Sequence, residues 1–485
     1  MRRLVVVSNR LPRTGAAGSR GQVEPLPGGL VSALLSATSR YPECLWFGWN
    51  GRVEDEERPP SLTRQSIRGI DLAGFALSRE DVDGYYLGFC NETLWPLLHC
   101  FQGRVRVIPD QETSYRRAQI SFARRLLPLL RPDDIVWVHD YHLFLLGREL
   151  RRLRWHGPLG FFLHTPFPPH EHWQLLPDPR DYLDAMLSYD VVGFQVKGSL
   201  DNYVRCSRQE VDARWDGDVL TALGQVQRVG VYPVGIDPGA FRPAPGRAPD
   251  APQARGLIPA LRDRRLILGV DRLDYTKGIP ERILAFEQFL RSYPAWLRKV
   301  VYVQIASPSR ASVPEYMKQK RRVDALIGRI NGEFGEHDWM PIRYLYRSYP
   351  QEFLAELYRE ADAMLVTPLR DGMNLVAKEF VAAQDPESPG VLILSRCAGA
   401  AEEMREALII NPLVTAEVAA GINKALSMPP AERRWRHQVL LSRVLSGRAS
   451  EWGRRFVGDL AGYELGDPST AATRPPAGAE ASATA

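Results

Sequence analysis

Leu369-Arg370-Asp371-Gly372-Met373-Asn374-Leu375-Val376-Ala377-Lys378-Glu379 is the stretch whose reading decides the fold. It follows a short apolar run, Ala363 to Val366, that reads as a buried strand, and it continues into a helical pattern with Leu375, Val376, Phe380 and Val381 on one apolar face. Between the two lies a tight turn at Asp371-Gly372. A strand, a turn and a helix start in that order form the βα unit of a parallel sheet. A helix start offers unpaired backbone N–H groups and a partial positive charge, which suits a phosphate, and Gly372 lets the backbone approach that anion. Glu379 follows about one and a half turns into the helix, at a place where a carboxylate accepts hydrogen bonds from a ribose diol. The expected ligand is therefore a nucleoside diphosphate, with the carboxylate serving sugar hydroxyls rather than phosphate.

Outward from this unit the same alternation recurs. Leu4–Val7, Leu45–Gly48, Ile135–His139, Gly160–His164 and Val191–Gln195 read as buried strands of a first half. Leu266–Val270, Val300–Ile305, Ile342–Leu345, Ala363–Val366, Val391–Leu394 and Leu408–Ile410 form a second series. Val231–Pro238 and the Pro- and Ala-rich stretch Pro243–Arg255 separate them. With 485 residues the chain is too long for one ordinary core. We expect one Rossmann-like domain over 1–238, a second over 239–449, a C-terminal helix over 450–465 packing back on the first domain, and a disordered tail over 466–485 rich in Ala, Pro, Ser, Thr and Gly.

The composition excludes several classes. Hydrophobic residues make up 45% and charged residues 25%, as in a soluble globular protein. The 62 basic and 57 acidic residues nearly cancel, and no basic block argues for nucleic acid. No apolar run approaches the roughly 20 residues that span a bilayer, so no membrane is expected. The five cysteines, Cys44, Cys90, Cys100, Cys206 and Cys397, form neither a C-x-x-C pair nor a zinc spacing, which points to the cytoplasm.

Further chemistry sits at strand ends. Val270-Asp271-Arg272-Leu273-Asp274-Tyr275-Thr276-Lys277-Gly278 places Arg272 and Lys277 within reach of a diphosphate at the Gly372 helix start. Ser8-Asn9-Arg10 ends the first strand, and Arg310 follows a strand of the other half; two such arginines suit a phosphorylated acceptor. Six of the nine histidines fall between His139 and His172. A metal set from His139, Asp140, His142, His170 and His172 is weighed and set aside, because H-x-x-H at a strand end does not put two ligands on one helical face. Asp140 and His164 suit sugar hydroxyls better, with His139 and His142 as core or supporting residues. The pairs Asp81/Asp83 and Asp216/Asp218 read as solvated loops. In Tyr85–Pro96, Tyr86 and Trp95 offer polar tips and flat faces to a sugar, while Phe89 and Leu94 read as core.

In this order the motifs resemble those of the trehalose-6-phosphate synthases, retaining glycosyltransferases of family 20 with the GT-B fold. The match runs from Arg3 to about Leu460 and includes S-N-R-L-P, P-G-G-L, Y-Y-x-G-F-x-N-x-T-L-W-P, W-V-H-D-Y-H-L, F-F-L-H-T-P-F-P, V-D-R-L-D-Y-T-K-G, R-I-N-G and R-D-G-M-N-L-V-A-K-E. The resemblance implies an α/β protein of two doubly wound domains facing across a cleft. It implies transfer of glucose from a nucleotide diphosphate glucose, with UDP-glucose the expected donor, to glucose 6-phosphate, without metal or other cofactor. Carried over, Arg10, Tyr86, Trp95 and Arg310 would hold the acceptor phosphate and Asp140 the acceptor sugar. His164 and Asp371 would touch the donor glucose, and Arg272, Lys277, Gly29 and the backbone of Gly372, Met373, Asn374 and Leu375 its diphosphate. Glu379 would take the ribose. Asn411-Pro412-Leu413-Val414 lacks the aspartate of the family's N-P-x-D and reads as packing, and Gly147 replaces a common proline with little expected consequence. No fused phosphatase motif is present. The alternatives are a glycerol 3-phosphate acceptor, an amino-cyclitol acceptor, a non-catalytic sugar-phosphate sensor, and an NAD-dependent dehydrogenase, for which no G-x-G-x-x-G follows the first strand. The sequence leaves the donor base and a homo-oligomer open.

Overall fold

The computed structural model describes residues 2–12, 29–54, 62–242, 263–310 and 313–462. Pro27-Gly28 of the first glycine turn, the Pro243–Arg255 stretch and the segment from residue 463 onward, including the expected tail, lie outside these residues.

Two sheets organise the chain. The first has ten strands: β1 (Leu4–Arg10), β2 (Cys44–Val53), β3 (Thr63–Ile67), β4 (Ile70–Leu77), β5 (Ile135–His139), β6 (Leu159–Leu163), β7 (Val191–Phe194), β8 (Arg214–Asp216), β9 (Val219–Ala222) and β10 (Gln225–Val231). Their spatial order is β3-β4-β2-β1-β5-β6-β7-β10-β9-β8. The second has six: β11 (Arg265–Arg272), β12 (Val300–Ser307), β13 (Ile342–Leu345), β14 (Ala363–Val366), β15 (Val391–Ser395) and β16 (Leu408–Ile410), ordered β13-β12-β11-β14-β15-β16 and parallel throughout. The central strands are continuous apolar runs because helices cover both faces of a parallel sheet.

The strand orders also locate the site. In each sheet the chain starts in the middle and winds first one way, then the other. The reversals fall between β1 and β5 and between β11 and β14, where the carboxyl ends of neighbouring strands leave a crevice. Arg10 and Asp140 stand at the first reversal; Arg272 and the Asp371 loop stand at the second.

Five strands lie outside the sequence expectation. β3 and β4 pair antiparallel and extend one edge, and β8, β9 and β10 build a meander at the other. The meander corrects the Asp216/Asp218 reading. Asp216 ends β8, and Asp218 lies in the turn to β9, where it pairs with Arg228 at 3.2 Å. β3, β8 and β9 are short and half exposed, so they lack the long apolar signature of the central strands, whereas β4 is buried along nearly its whole length.

The helix Ala449–Ala461 lies against β5, β7 and the helix Gly29–Thr38. Its Trp452, Phe456 and Leu460 join Leu4, Trp46, Trp137 and Phe162 in one apolar cluster. Gly160 and Gly193 leave room for Phe456, since a Cβ on either would stand 2.8 Å from its ring. The chain passes between the sheets twice, and the passages bind each other: the Ala449 N–H donates to the Ile236 carbonyl at 3.0 Å. A Cβ at Gly235 would sit 1.7 Å from the Gly447 carbonyl oxygen, so only glycine fits there. Buried Lys378 secures the first passage by donating to the Val234 carbonyl at 2.8 Å while paired with Glu403 at 2.6 Å. Its burial corrects the simple apolar face expected for the helix Leu375–Ala383, in which Leu375 and Val376 are only half-buried.

Two family departures are also placed. Leu413 is 70% exposed and Val414 is exposed, so Asn411–Val414 is a surface turn, not packing. Asn411 Oδ1 accepts from the Leu413 N–H at 3.2 Å, a bond that needs no aspartate. Gly147 matters more than expected. Its N–H donates to the Tyr189 hydroxyl at 2.9 Å, and that hydroxyl donates to the Leu143 carbonyl at 2.8 Å. A proline there would remove the first donor.

Candidate active site

The site is assembled from backbone that is strained where it meets the crevice. Asp140, Arg310 and Asn374 all have positive φ, at 72°, 47° and 78°. Residues held in this region cost of order 1–3 kcal/mol and cluster at functional sites. Asp140 follows β5 directly and accepts from the His164 N–H at 3.3 Å. Burial pushes its carboxyl up to about 6, against the N–H groups of Tyr141, His164 and Thr165 and the charge of Arg310.

The Asp371 loop is held by close backbone approaches. A Cβ on Gly372 would lie 2.0 Å from the His164 carbonyl oxygen, and one on Gly399 would lie 1.9 Å from the Gly372 carbonyl oxygen. The missing side chain at Gly372 thus lets this loop press against the protein's own first half. The helix starts three residues later, at Leu375, with no side chain capping it. Met373 is buried, and its carbonyl accepts from the Ala400 N–H at 2.8 Å. Asn374 Nδ2 donates to Asp371 Oδ2 at 3.0 Å. Gly29 opens its own helix against Leu375, whose Cδ1 would be 2.5 Å from a Cβ there. Thus the first-half glycine and the second-half helix start meet.

The two donor-side cations diverge. Lys277 ends a single turn after β11 and forms an ion pair with Asp371. Burial opposes ionisation of Asp371, but Lys277, His99 and Asn374 outweigh it and hold the carboxyl below its ordinary value. Arg272, the last residue of β11, turns instead toward Trp95, with its guanidinium carbon 5.8 Å from the ring centre. Glu379 accepts from the Tyr358 hydroxyl at 3.2 Å, and burial pushes it up to about 7.

Trp95 is the meeting point. Arg310 lies 4.1 Å from its ring, and Tyr141 and His99 pack on it at 5.8 and 4.1 Å. Its indole N–H is buried with no partner among the described residues. Arg310 bonds Asp274, Tyr316 and, across the crevice, the Tyr141 hydroxyl at 3.2 Å. Arg10 packs over Trp49 at 4.9 Å, Trp49 meets Tyr86 at 5.5 Å, and Tyr86 stacks on His142 at 6.1 Å. The aromatic wall continues through His142 to Tyr141, with their ring centres 4.0 Å apart. Tyr86 and Trp95 are presented by an unusual element: Val82–Leu94 winds as a π-helix, and the Trp95 N–H donates to the Cys90 carbonyl five residues back. Phe89 and Leu94 are fully buried.

The histidines do not gather as a set. His139 and His164 bond each other, Nδ1 to Nε2 at 3.1 Å, while His170 pairs with Glu210 at 2.6 Å. Sequence reasoning missed Trp49, Tyr141, Asp274, Tyr316, Tyr358 and His99 as parts of the site. Tyr141 and Asp274 stood inside quoted motifs at strand ends and were readable from position. Trp49, Tyr316 and Tyr358 carry no local signal.

The sequence model of glycosyltransferase family 20 matches residues 2–462. This chain belongs to glycosyltransferase family 20. Among the family's curated members, it is 42% identical over 461 residues to a trehalose-6-phosphate synthase of Sinorhizobium fredii, covering 95% of this chain and 98% of that one. A family 20 structure from Burkholderia xenovorans, described as an α,α-trehalose-phosphate synthase (UDP-forming) in complex with glucose-6-phosphate, superposes with a TM-score of 0.90 at 40% identity, covering 95% of this chain and all of that one (100%). The Escherichia coli trehalose-6-phosphate enzyme bound with UDP-2-fluoro glucose superposes at 0.88 and 40% identity, covering 95% and 99%. The two-sheet architecture is accordingly the GT-B fold of family 20.

Proposed function

We propose that this chain transfers a glucosyl group from UDP-glucose to glucose 6-phosphate, forming α,α-trehalose 6-phosphate and UDP with retention at the donor anomeric carbon. The family, the names of its relatives and the ligands named for the two solved structures support this reading. The single observation that carries it is Trp95: two guanidinium groups converge on its face, and its buried indole N–H awaits an acceptor atom. Such a place suits a phosphate dianion.

In this reading Arg10, Tyr86, Trp95 and Arg310 hold the acceptor phosphate, and Asp140 holds an acceptor hydroxyl. Arg272, Lys277, Gly29 and the backbone from Gly372 to Leu375 take the donor diphosphate, His164 and Asp371 its glucose, and Glu379 its ribose. Among the described residues the site carboxylates Asp140 and Asp371 offer no pair of the glycosidase kind, one free to attack and one to protonate. Asp371 is tied to Lys277 and Asn374, and Asp140 to backbone N–H groups. The reaction is therefore a same-face attack. The donor C1–O bond breaks as the acceptor hydroxyl oxygen bonds to C1, and the leaving phosphate oxygen takes that hydroxyl's proton. The protein positions the reactants and stabilises the charge that develops on the diphosphate. Fixed cations perform that task, so turnover persists after exhaustive chelation; its loss, with restoration by a divalent ion, would overturn this step.

The test is product analysis with nucleotide glucoses of several bases and three acceptors. Glucose 6-phosphate is expected to be the acceptor, glucose very poor and glycerol 3-phosphate weak. Preference for glycerol 3-phosphate would make the enzyme a glucosylglycerol-phosphate synthase, and no transfer at all would make it a sensor.

A further inference from the structure

The bond between His139 and His164 has a chemical consequence that the transfer reaction as described leaves unused. His139 is the last residue of β5 and is 1% exposed. Its Nδ1 lies 3.1 Å from His164 Nε2, with ring centres 5.3 Å apart. The surroundings are aromatic: Trp137 at 4.4 Å, Trp452 at 6.1 Å and Phe162 at 6.4 Å from the His139 ring. Trp452, from the C-terminal helix, also backs His164 at 5.9 Å. Burial holds His139 well below its ordinary value, with His164 adding to the effect, and burial alone lowers His164 to about 3. Asp140 accepts from the His164 backbone N–H at 3.3 Å and bonds neither ring among the described residues, so with burial lowering both groups the rings are neutral and the bond contains one proton.

The other nitrogen of His139 settles which ring supplies it. His139 Nε2 is buried with no partner among the described residues. A proton there would be an orphaned N–H against aromatic carbon, and orphaned buried donors are rarer than under-satisfied acceptors. His139 therefore carries its proton on Nδ1 and donates it to His164 Nε2. The tautomer of one histidine is set by the bond its other nitrogen makes, so His164 must carry its own proton on Nδ1. We propose that His139 is a positioning residue that locks His164 in the Nδ1–H tautomer, so that the His164 ring meets the donor hexose as a hydrogen-bond donor to a hydroxyl oxygen. This rests on the reading of His164 as a donor-sugar contact. The lock acts through neutral groups and adds no charge beside the anomeric carbon.

Two measurements on the full chain test it. Ring-15N-histidine labelling, with His164→Asn to assign the signal, should show His164 protonated at Nδ1 and bare at Nε2, unchanged from pH 6 to pH 8. His139→Leu should lower kcat by about 10- to 100-fold, the usual effect of losing a partner that orients a functional histidine, with the KM for glucose 6-phosphate within about twofold. His139→Asn, whose amide N–H stands on Cγ where Nδ1 stood, should recover most of that loss. A His164 ring protonated at Nε2 overturns the proposal, as does a folded His139→Leu enzyme of normal kcat. Should His139→Leu fail to fold, the nitrogen spectrum of the wild-type enzyme decides alone. If the tautomer stands but His164→Ala keeps its kcat, the sugar contact is what fails, and the two errors are told apart.

Discussion

The acceptor side and the donor side of the crevice hold their cations by different means. On the acceptor side Arg310 lies against Trp95 and Arg10 against Trp49, and Arg310 also bonds Asp274, Tyr316 and the Tyr141 hydroxyl. An aromatic face steadies a guanidinium through its π-face, and the five in-plane N–H groups can serve several partners at once. On the donor side Lys277 is committed to Asp371 and Asp371 to Asn374. An ammonium held this way must share or exchange a partner when a diphosphate arrives. The acceptor-side guanidinium can keep its protein partners and still offer donors to an anion, whereas the donor-side ammonium carries charge that reorganises on binding. Preorganisation lowers the cost of binding, whereas partner exchange couples binding to the position of the Asp371 loop.

The largest effect should come from the donor side. Lys277→Ala should lower kcat by about 100- to 1,000-fold, the scale of deleting one charge-stabilising donor. Steady-state kinetics with a folded variant check this, and near-normal turnover would remove Lys277 from the diphosphate. On the acceptor side, Trp95→Phe keeps a ring for Arg310 and deletes only the indole N–H. A hydrogen bond to a charged group contributes about 1.5–3 kcal/mol, so the KM for glucose 6-phosphate should rise by roughly 10- to 100-fold with the donor KM unchanged. An equal rise in both would mean that Trp95 serves the shape of the whole crevice.

Smaller effects probe what surrounds the two sides. Lys378→Met leaves the Val234 carbonyl without its donor between the sheets and should destabilise the protein by about 1–3 kcal/mol, read as a lower denaturation midpoint. Glu379 offers the mildest test. Its folded value of about 7 means that it is charged at pH 8 and largely neutral at pH 6. Only the carboxylate can accept from both hydroxyls of a diol, so the donor KM should rise a few-fold from pH 8 to pH 6, and Glu379→Gln should abolish that dependence. Because the folded value lies above the ordinary 4.5, ionisation costs stability as pH rises from about 4.5 to about 7. Glu379→Gln should therefore raise the unfolding midpoint more at pH 8 than at pH 5.

How far these two sides were legible follows from their physics. Parallel strands announce themselves as continuous apolar runs, and β5, β13, β14 and β16 agree with the sequence expectation to the residue. The outer strands β3, β8 and β9 are three to five residues long and half exposed, too short to show a periodicity. Strand-end motifs located Arg10, Asp140, His164, Arg272 and Asp371, because a parallel sheet gathers the ends of distant strands. The partners those residues take were not legible. Lys277 meets Asp371 across 94 positions, and Arg310 meets Tyr141 across 169. The π-winding of Val82–Leu94 is also silent in the sequence, since hydrophobic periodicity is read against a 3.6-residue turn.

The most direct test of the acceptor side is the ratio of kcat/KM for glucose 6-phosphate to that for glucose, measured in wild type and in Arg310→Ala at saturating UDP-glucose. Arg310 bonds Tyr141 of the first half while packed on Trp95, so the phosphate preference should fall by at least about 30-fold, the low end of losing a buried charged partner, with the donor KM within about threefold. An unchanged ratio in a folded Arg310→Ala enzyme would contradict the two-sided account.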